Sequence, residues 1–191
     1  MNRSNTSIKE VVIIEPRVFR DVRGYFFESY SEKIFKEKVC NTHFVQENES
    51  RSTYGVLRGL HFQKPPFAQS KLLRVVKGEI LDLAVDIRKG SPTFGKHVSV
   101  HLSDKNKRQV FIPRGFAHGF VVLSKEAIVQ YKCDNYYALA SEGAIAYNDP
   151  ALQIDWQIHS SKIILSDKDK QNLLLKEIDN PFDYNNNLYE K

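Results

Sequence analysis

The stretch Val56–Lys71, VLRGLHFQKPPFAQSK, begins as an apolar strand yet carries Arg58, His61 and Lys71. Charged groups are costly to bury unless they are paired, so this run either meets a polar pocket or carries a core histidine satisfied by backbone and a solvated loop lysine. An imidazole titrates near pH ~6.5 and can accept a proton at neutral pH. The chemistry on offer is therefore proton transfer beside concentrated positive charge. In an ideal strand Arg58 and His61 point to opposite faces, and Gly59 between them permits a bulge that turns both towards one pocket. Phe26 and Glu28 lie two apart, as do Gln46 and Asn48, which places each pair on one strand face. Tyr131 shares a strand side with Ala127 and Val129, and a buried phenol needs a partner for its hydroxyl. Ser166, three residues before Asp169, fits a helix capping box.

The elements that must position these residues are mostly strands. β-Branched and aromatic residues dominate, with Gly or Pro at short intervals. The pattern predicts strands over Val11–Ile14, Gly24–Tyr30, His43–Gln46, Val56–Phe62, Leu72–Val76 and Ile80–Ile87. Further strands are expected over Val98–Leu102, Gln109–Ile112, Phe120–Leu123 and Ala127–Tyr131. A short helix over Ser31–Lys38 would use Ser31 as its cap. The remaining helix is expected mainly over Asp167–Ile178. Many short strands with turns between them imply a sandwich or barrel. Residues 1–180 are expected to form one domain, and the tail over 181–191, PFDYNNNLYEK, to be loosely held.

Composition narrows the class. A chain of 191 residues is long enough for a real core. Its net charge is +5, but 28 basic residues are interleaved with 23 acidic ones without long like-charge runs. That argues against nucleic acid and fits a small anionic ligand. No stretch approaches the roughly 18 apolar residues of a membrane span. The N-terminus, MNRSNTSIKE, has no apolar segment of a secretory signal. Cys40 and Cys133 have no metal-site spacing, which favours a reducing, cytoplasmic setting.

Pro113, Gly115 and His118 in FIPRGFAHGF have the spacing P-x-G-x-x-H, which resembles the second motif of cupins. The implied fold is mainly β, a double-stranded β-helix jelly roll. The first cupin motif needs a His-x-His pair, and here the matching stretch is His61-Phe62-Gln63. A metal site needs about three protein ligands, so a pocket without metal or other cofactor is expected.

The wider order FRDVRGYFFESY, FVQENESRSTYGVLRGLHFQ, KLLRVVKGEILDLAVDIRKGSPTFGKH, FIPRGFAHGFVVLS, YKCDNYYALASEGAIAYNDP and ILSDKD resembles the dTDP-4-dehydrorhamnose 3,5-epimerases over roughly residues 10 to 170. The resemblance implies a nucleotide sugar with a C4 ketone whose neighbours, C3 and C5, are epimerised through an enolate. By the same resemblance His61 is the base, held by Asp169, with Asp167 the alternative partner. The capping role remains open to Asp169 beside the dyad role. Lys71 matches the electrophile at the C4 oxygen and Tyr131 the acid. Arg23 and Arg58 match the diphosphate positions, and Phe26, Glu28, Gln46 and Asn48 suit a thymine. His118 either contacts sugar or phosphate or only packs. A homodimer with exchanged N-terminal strands is implied, in which Arg23 and Phe26 could serve the partner's site. Epimerisation at one carbon only, another nucleotide such as GDP or CDP, and a non-catalytic sugar-binding cupin are the competing readings.

Overall fold

The computed structural model describes residues 1–189. Its strands are β1 (Asn2–Asn5), β2 (Val12–Glu15), β3 (Phe19–Asp21), β4 (Gly24–Phe26), β5 (Gln46–Thr53), β6 (Leu57–Gln63), β7 (Lys71–Lys77), β8 (Glu79–Asp86), β9 (His97–Ser103), β10 (Gln109–Ile112), β11 (Phe116–Val122), β12 (Glu126–Cys133) and β13 (Glu142–Ala144). Among the described residues one α-helix, α1 (Glu32–Lys38), follows β4. A six-stranded sheet has the order β1-β2-β10-β7-β12-β5, and a five-stranded sheet the order β13-β6-β11-β8-β9. β3 and β4 form a separate hairpin. This is the mainly β, cupin-like jelly roll expected from the sequence. Among the described residues no helix is long and apolar enough to cross a membrane.

Periodicity explains the layers. Between the sheets, Leu73, Val75, Ile80, Ala84, Phe120 and Val129 build the main core. The alternate residues Leu81, Leu83, Val85 and Val121 face outward, yet Ile145, Leu152, Trp156 and Phe182 cover them. The five-stranded sheet is thus buried on both faces, so β11 reads as a continuous buried run rather than an alternating one. On the outer face of the other sheet, Phe35 of α1 packs with Val12, Ile14, Leu72 and Phe111.

The interior changes character along its length. The inward faces that carry Val75 and Val129 continue to Lys71 and Tyr131. The burial of β5 alternates from Gln46 through Asn48, Ser50 and Ser52, with charged residues outward. One end of the sandwich is therefore apolar core and the other a polar cavity. The bulge expected at Gly59 is present. On β11, His118 pairs with His61 and Phe120 with Arg58, so three steps along β6 match two along β11. The extra residue resets the alternation and brings Arg58 and His61 to the same cavity. Gly59 has φ +136°, and a Cβ there would lie 2.5 Å from Gly119 Cα. Glycine is required by both conformation and space.

Several expectations are corrected. The helix over Asp167–Ile178 is reduced to a 3-10 turn at Asp169–Gln171. Tertiary bonds replace helical ones: Ala146 N–H donates to the Leu173 carbonyl at 2.8 Å, and Leu175 N–H donates to Asp149 Oδ2 at 2.7 Å. The strand placed at His43–Gln46 begins only at Gln46 and runs to Thr53. The strand over Gly24–Tyr30 stops at Phe26. The loose tail expected over 181–191 is packed through its described part. Phe182 is 1 % exposed, and its ring meets Phe62 edge-on at 5.8 Å. Residues 190 and 191 lie outside the described residues.

Candidate active site

A cavity of about 410 Å³ opens between the sheets and is lined by Arg58, His61, Lys71, His118, Tyr131 and Asp169. His61 and His118 come from the five-stranded sheet; Lys71 and Tyr131 face them from the six-stranded sheet. An adjoining hollow of about 340 Å³ shares His61, Lys71 and Tyr131 and reaches Gln46 and Asn48.

His61 Nε2 lies 2.5 Å from Asp169 Oδ1. With Nε2–H donating to the carboxylate, Nδ1 is left as the nitrogen that can accept a proton. The Asp169 side chain is 5 % exposed. Burial pushes its pKa up, but the hydrogen bond and charge of His61, with help from Ser166 and Asn172, hold it below the usual carboxylate range overall. It therefore stays ionised and can stabilise an imidazolium. The backbone N–H of Asp169 donates to Ser166 Oγ at 3.1 Å. Cap and dyad thus coexist, because the cap uses the backbone and the dyad uses the carboxylate. Asp167 turns away: its side chain is 94 % exposed and pairs with Lys170.

Lys71 Nζ sits 5.9 Å from the centre of the Tyr131 ring. Burial lowers the Lys71 pKa below that of an ordinary lysine, with Cys133, Asp82 and Glu142 opposing that shift. Lys71 forms no salt bridge among the described residues, so its charge is available to a ligand. Tyr131 moves the other way. Burial raises its pKa, Cys133 adds to the shift, and Arg58 and Asn48 oppose it. A phenol so placed is protonated at neutral pH and can donate. Arg58 Nε donates to Ser52 Oγ at 3.0 Å, which fixes the guanidinium at the rim. Ser50 Oγ, in the same cavity, is buried and has no hydrogen-bond partner among the described residues.

His118 is buried, with Nε2 2.7 Å from Asp82 Oδ2. Burial lowers its pKa while Asp82 pulls it back. His118 also pairs across the strands with His61, so its carboxylate partner helps to seat the floor beneath His61. Asp82 and Ser52 were not foreseen as site residues. The signal for Asp82 was present: a lone carboxylate inside ILDLAV demands a buried partner, by the reasoning applied to His61.

Arg23, Phe26 and Glu28 do not join this cavity within the chain. Arg23 has an 86 % exposed side chain and pairs with Asp21 in the β3–β4 hairpin. With Phe26 it borders a separate hollow beside Phe19 and Tyr25. Glu28 lines a crevice against Tyr30, Phe35 and Gln109. Among the described residues no group of three or more His, Cys, Asp or Glu side chains could hold a metal ion.

The family model described as dTDP-4-dehydrorhamnose 3,5-epimerase matches residues 5–177. A curated dTDP-4-dehydrorhamnose 3,5-epimerase from Shigella flexneri is 54 % identical over 170 residues, covering 88 % of this chain and 93 % of the relative. The crystal structure of a dTDP-6-deoxy-D-glucose-3,5-epimerase from Legionella pneumophila, in complex with dTDP-4-keto-L-rhamnose, superposes with a TM-score of 0.90 at 52 % identity, covering 93 % of this chain and 94 % of that one. A 3'-monoepimerase from Streptomyces bikiniensis, in complex with dTDP-quinovose, gives a TM-score of 0.82 at 32 % identity, covering 90 % and 87 % of the two chains. The chain belongs to the dTDP-4-dehydrorhamnose 3,5-epimerase family.

Proposed function

We propose that the chain is an isomerase that epimerises C3 and C5 of dTDP-4-dehydro-6-deoxy-D-glucose to give dTDP-4-dehydro-L-rhamnose. The observation that carries this reading is the His61–Asp169 pair facing Tyr131 across one cavity from the opposite sheet. A sugar ring between them has an acceptor on one side and a donor on the other.

Each epimerisation is then a balanced pair of proton transfers. His61 Nδ1 takes the proton from the carbon beside the C4 ketone, and the C–H electron pair becomes the enolate. The Lys71 ammonium stabilises the charge that collects on the C4 oxygen. Tyr131 delivers its phenolic proton to the opposite face, and the resulting tyrosinate and imidazolium exchange with water. No electron leaves or enters the substrate. Arg58 binds the diphosphate, Gln46 and Asn48 serve the nucleotide side, and His118 supports the sugar. Double epimerisation is favoured over the single-carbon reading because the 3,5-epimerase relative is 54 % identical and the monoepimerase 32 %. The test is conversion by the purified protein, with dTDP, GDP and CDP as competing inhibitors. Loss of signal for L-rhamno product, or tighter inhibition by GDP or CDP than by dTDP, would refute the assignment.

Tyr131→Phe is expected to cut epimerised product about 10²-fold while solvent hydrogen still enters the substrate, because abstraction by His61 survives. Equal loss of both signals would remove the acid role.

Arg23 and Phe26 serve the neighbouring subunit in a homodimer with exchanged N-terminal strands. Their distance from their own cavity and the exposure of Phe19, Val22, Tyr25 and Phe26 on one hairpin support this placement. Unfolding and refolding a mixture of inactive Arg23→Ala and His61→Ala chains should regenerate activity, since mixed dimers carry one intact site. A mixture as inactive as its components would count against exchange. A cytoplasmic setting fits the two unpaired cysteines, Cys40 and Cys133.

A further inference from the structure

The segment after residue 177 lies beyond the stretch that the family model matches, yet it is tied to the fold at every few residues. Asn180 Nδ2 donates to the Ile87 carbonyl at 2.6 Å. Lys89 N–H donates to the Phe182 carbonyl, and Tyr184 N–H returns a bond to the Lys89 carbonyl. The Arg88 guanidinium then lies over the Tyr184 ring at 4.9 Å. Farther on, Arg114 Nη1 donates to the Leu188 carbonyl at 2.8 Å, and its guanidinium lies 5.1 Å from the centre of the Tyr189 ring. The chain thus runs as a strap from the end of β8, in one sheet, to the start of β7, in the other.

The strap ends at a buried polar junction. Ser70, 0 % exposed, immediately precedes Lys71, and its hydroxyl lies 2.7 Å from Tyr189 Oη. The Arg114 N–H donates to the same phenol oxygen at 3.4 Å. Ser70 N–H donates to Asp134 Oδ1 at 2.6 Å, and Asp134 Oδ2 accepts from Thr42 and Arg114. Asp134 directly follows Cys133, the residue paired with Lys71 across β7 and β12. The junction therefore clamps the two strand ends that present Lys71 and Tyr131. Among the described residues no carboxylate pairs with Lys71, so its aim depends on the backbone that carries it.

We propose that Tyr189 is a positioning residue for Lys71, acting through Ser70, and that the strap over residues 180–189 is part of the catalytic scaffold. Removing one hydroxyl leaves Ser70 and the Arg114 N–H short of a partner and loosens the first residues of β7, without touching the cavity. The inference rests on the electrophilic role given to Lys71 above, and the test separates the two.

Tyr189→Phe, Ser70→Ala and the double variant are compared with the unaltered protein. The expected result is a fall in kcat of about fivefold in each single variant, KM within about twofold, and a double variant no worse than Tyr189→Phe, since Ser70 acts through a bond that variant already removes. The Lys71 side-chain Cε resonance of the unliganded protein, assigned with Lys71→Met, should shift or broaden in Tyr189→Phe. Unchanged kcat in Tyr189→Phe, or losses that multiply in the double variant, would overturn the proposal. If the unaltered protein fails to convert the substrate, the functional reading falls, and the Lys71 resonance alone decides: the same position and width in Tyr189→Phe overturns the positioning role.

Discussion

His61→Ala is expected to lower kcat about 10³-fold while dTDP binds within about threefold of its original affinity. The first effect follows from removing the proposed general base, since a positioned general base contributes on the order of 10² to 10⁴. Asp169 cannot substitute. Its carboxylate sits behind the imidazole, on the Nε2 side and set back from the ring. The second effect follows from the separation of roles: Arg58, Gln46 and Asn48 reach the cavity independently of His61. Steady-state kinetics and a dTDP titration check both halves. Unchanged kinetics, or a loss confined to affinity, would mean that another group takes the proton.

Lys71→Met should cost about 10² to 10³ in kcat, the scale of losing one preorganised donor to an oxyanion. Methionine keeps much of the volume and the packing against Tyr131, so the loss reads the charge. A pH profile adds a second readout. Burial lowers the Lys71 pKa from its ordinary value, so the ammonium is lost earlier on the alkaline side than in an exposed lysine. Activity should therefore fall as pH rises through that lowered pKa, and the alkaline limb should be absent from the residual activity of Lys71→Met. An identical limb in the variant would assign the titration elsewhere. Tyr131, whose pKa is raised, would be the next group to test.

Which parts of this site could be read from the chain follows from how each residue is buried. His61, Arg58 and Lys71 were conspicuous because they interrupt apolar runs, and Gly59 marked the bulge that brings the first two together. β5 was hidden for the opposite reason. Its inward residues, Gln46, Asn48, Ser50 and Ser52, line a cavity rather than a core, so no apolar alternation signals a strand. The helix expected from Asp167 failed because Ser166 caps a single turn whose next backbone groups bond to residues 146 and 149. Asp169 and Asp167 were indistinguishable by spacing alone; only the fold turns one inward and leaves the other in water. The tail looked loose because its anchors, Phe182 and Tyr189, are single residues without period. Phe26 and Glu28, expected to suit a thymine, share no cavity with His61 in one chain, which no periodicity could have revealed.

An imidazole and a phenol on opposite sides of one cavity predict inversion through solvent exchange at both carbons beside the ketone. Turning over the 4-keto-6-deoxyglucose nucleotide in D₂O and reading the product by NMR tests it most directly. The expected product carries one deuteron at C3 and one at C5, each on the inverted centre. A product with protium retained at either inverted carbon would contradict it.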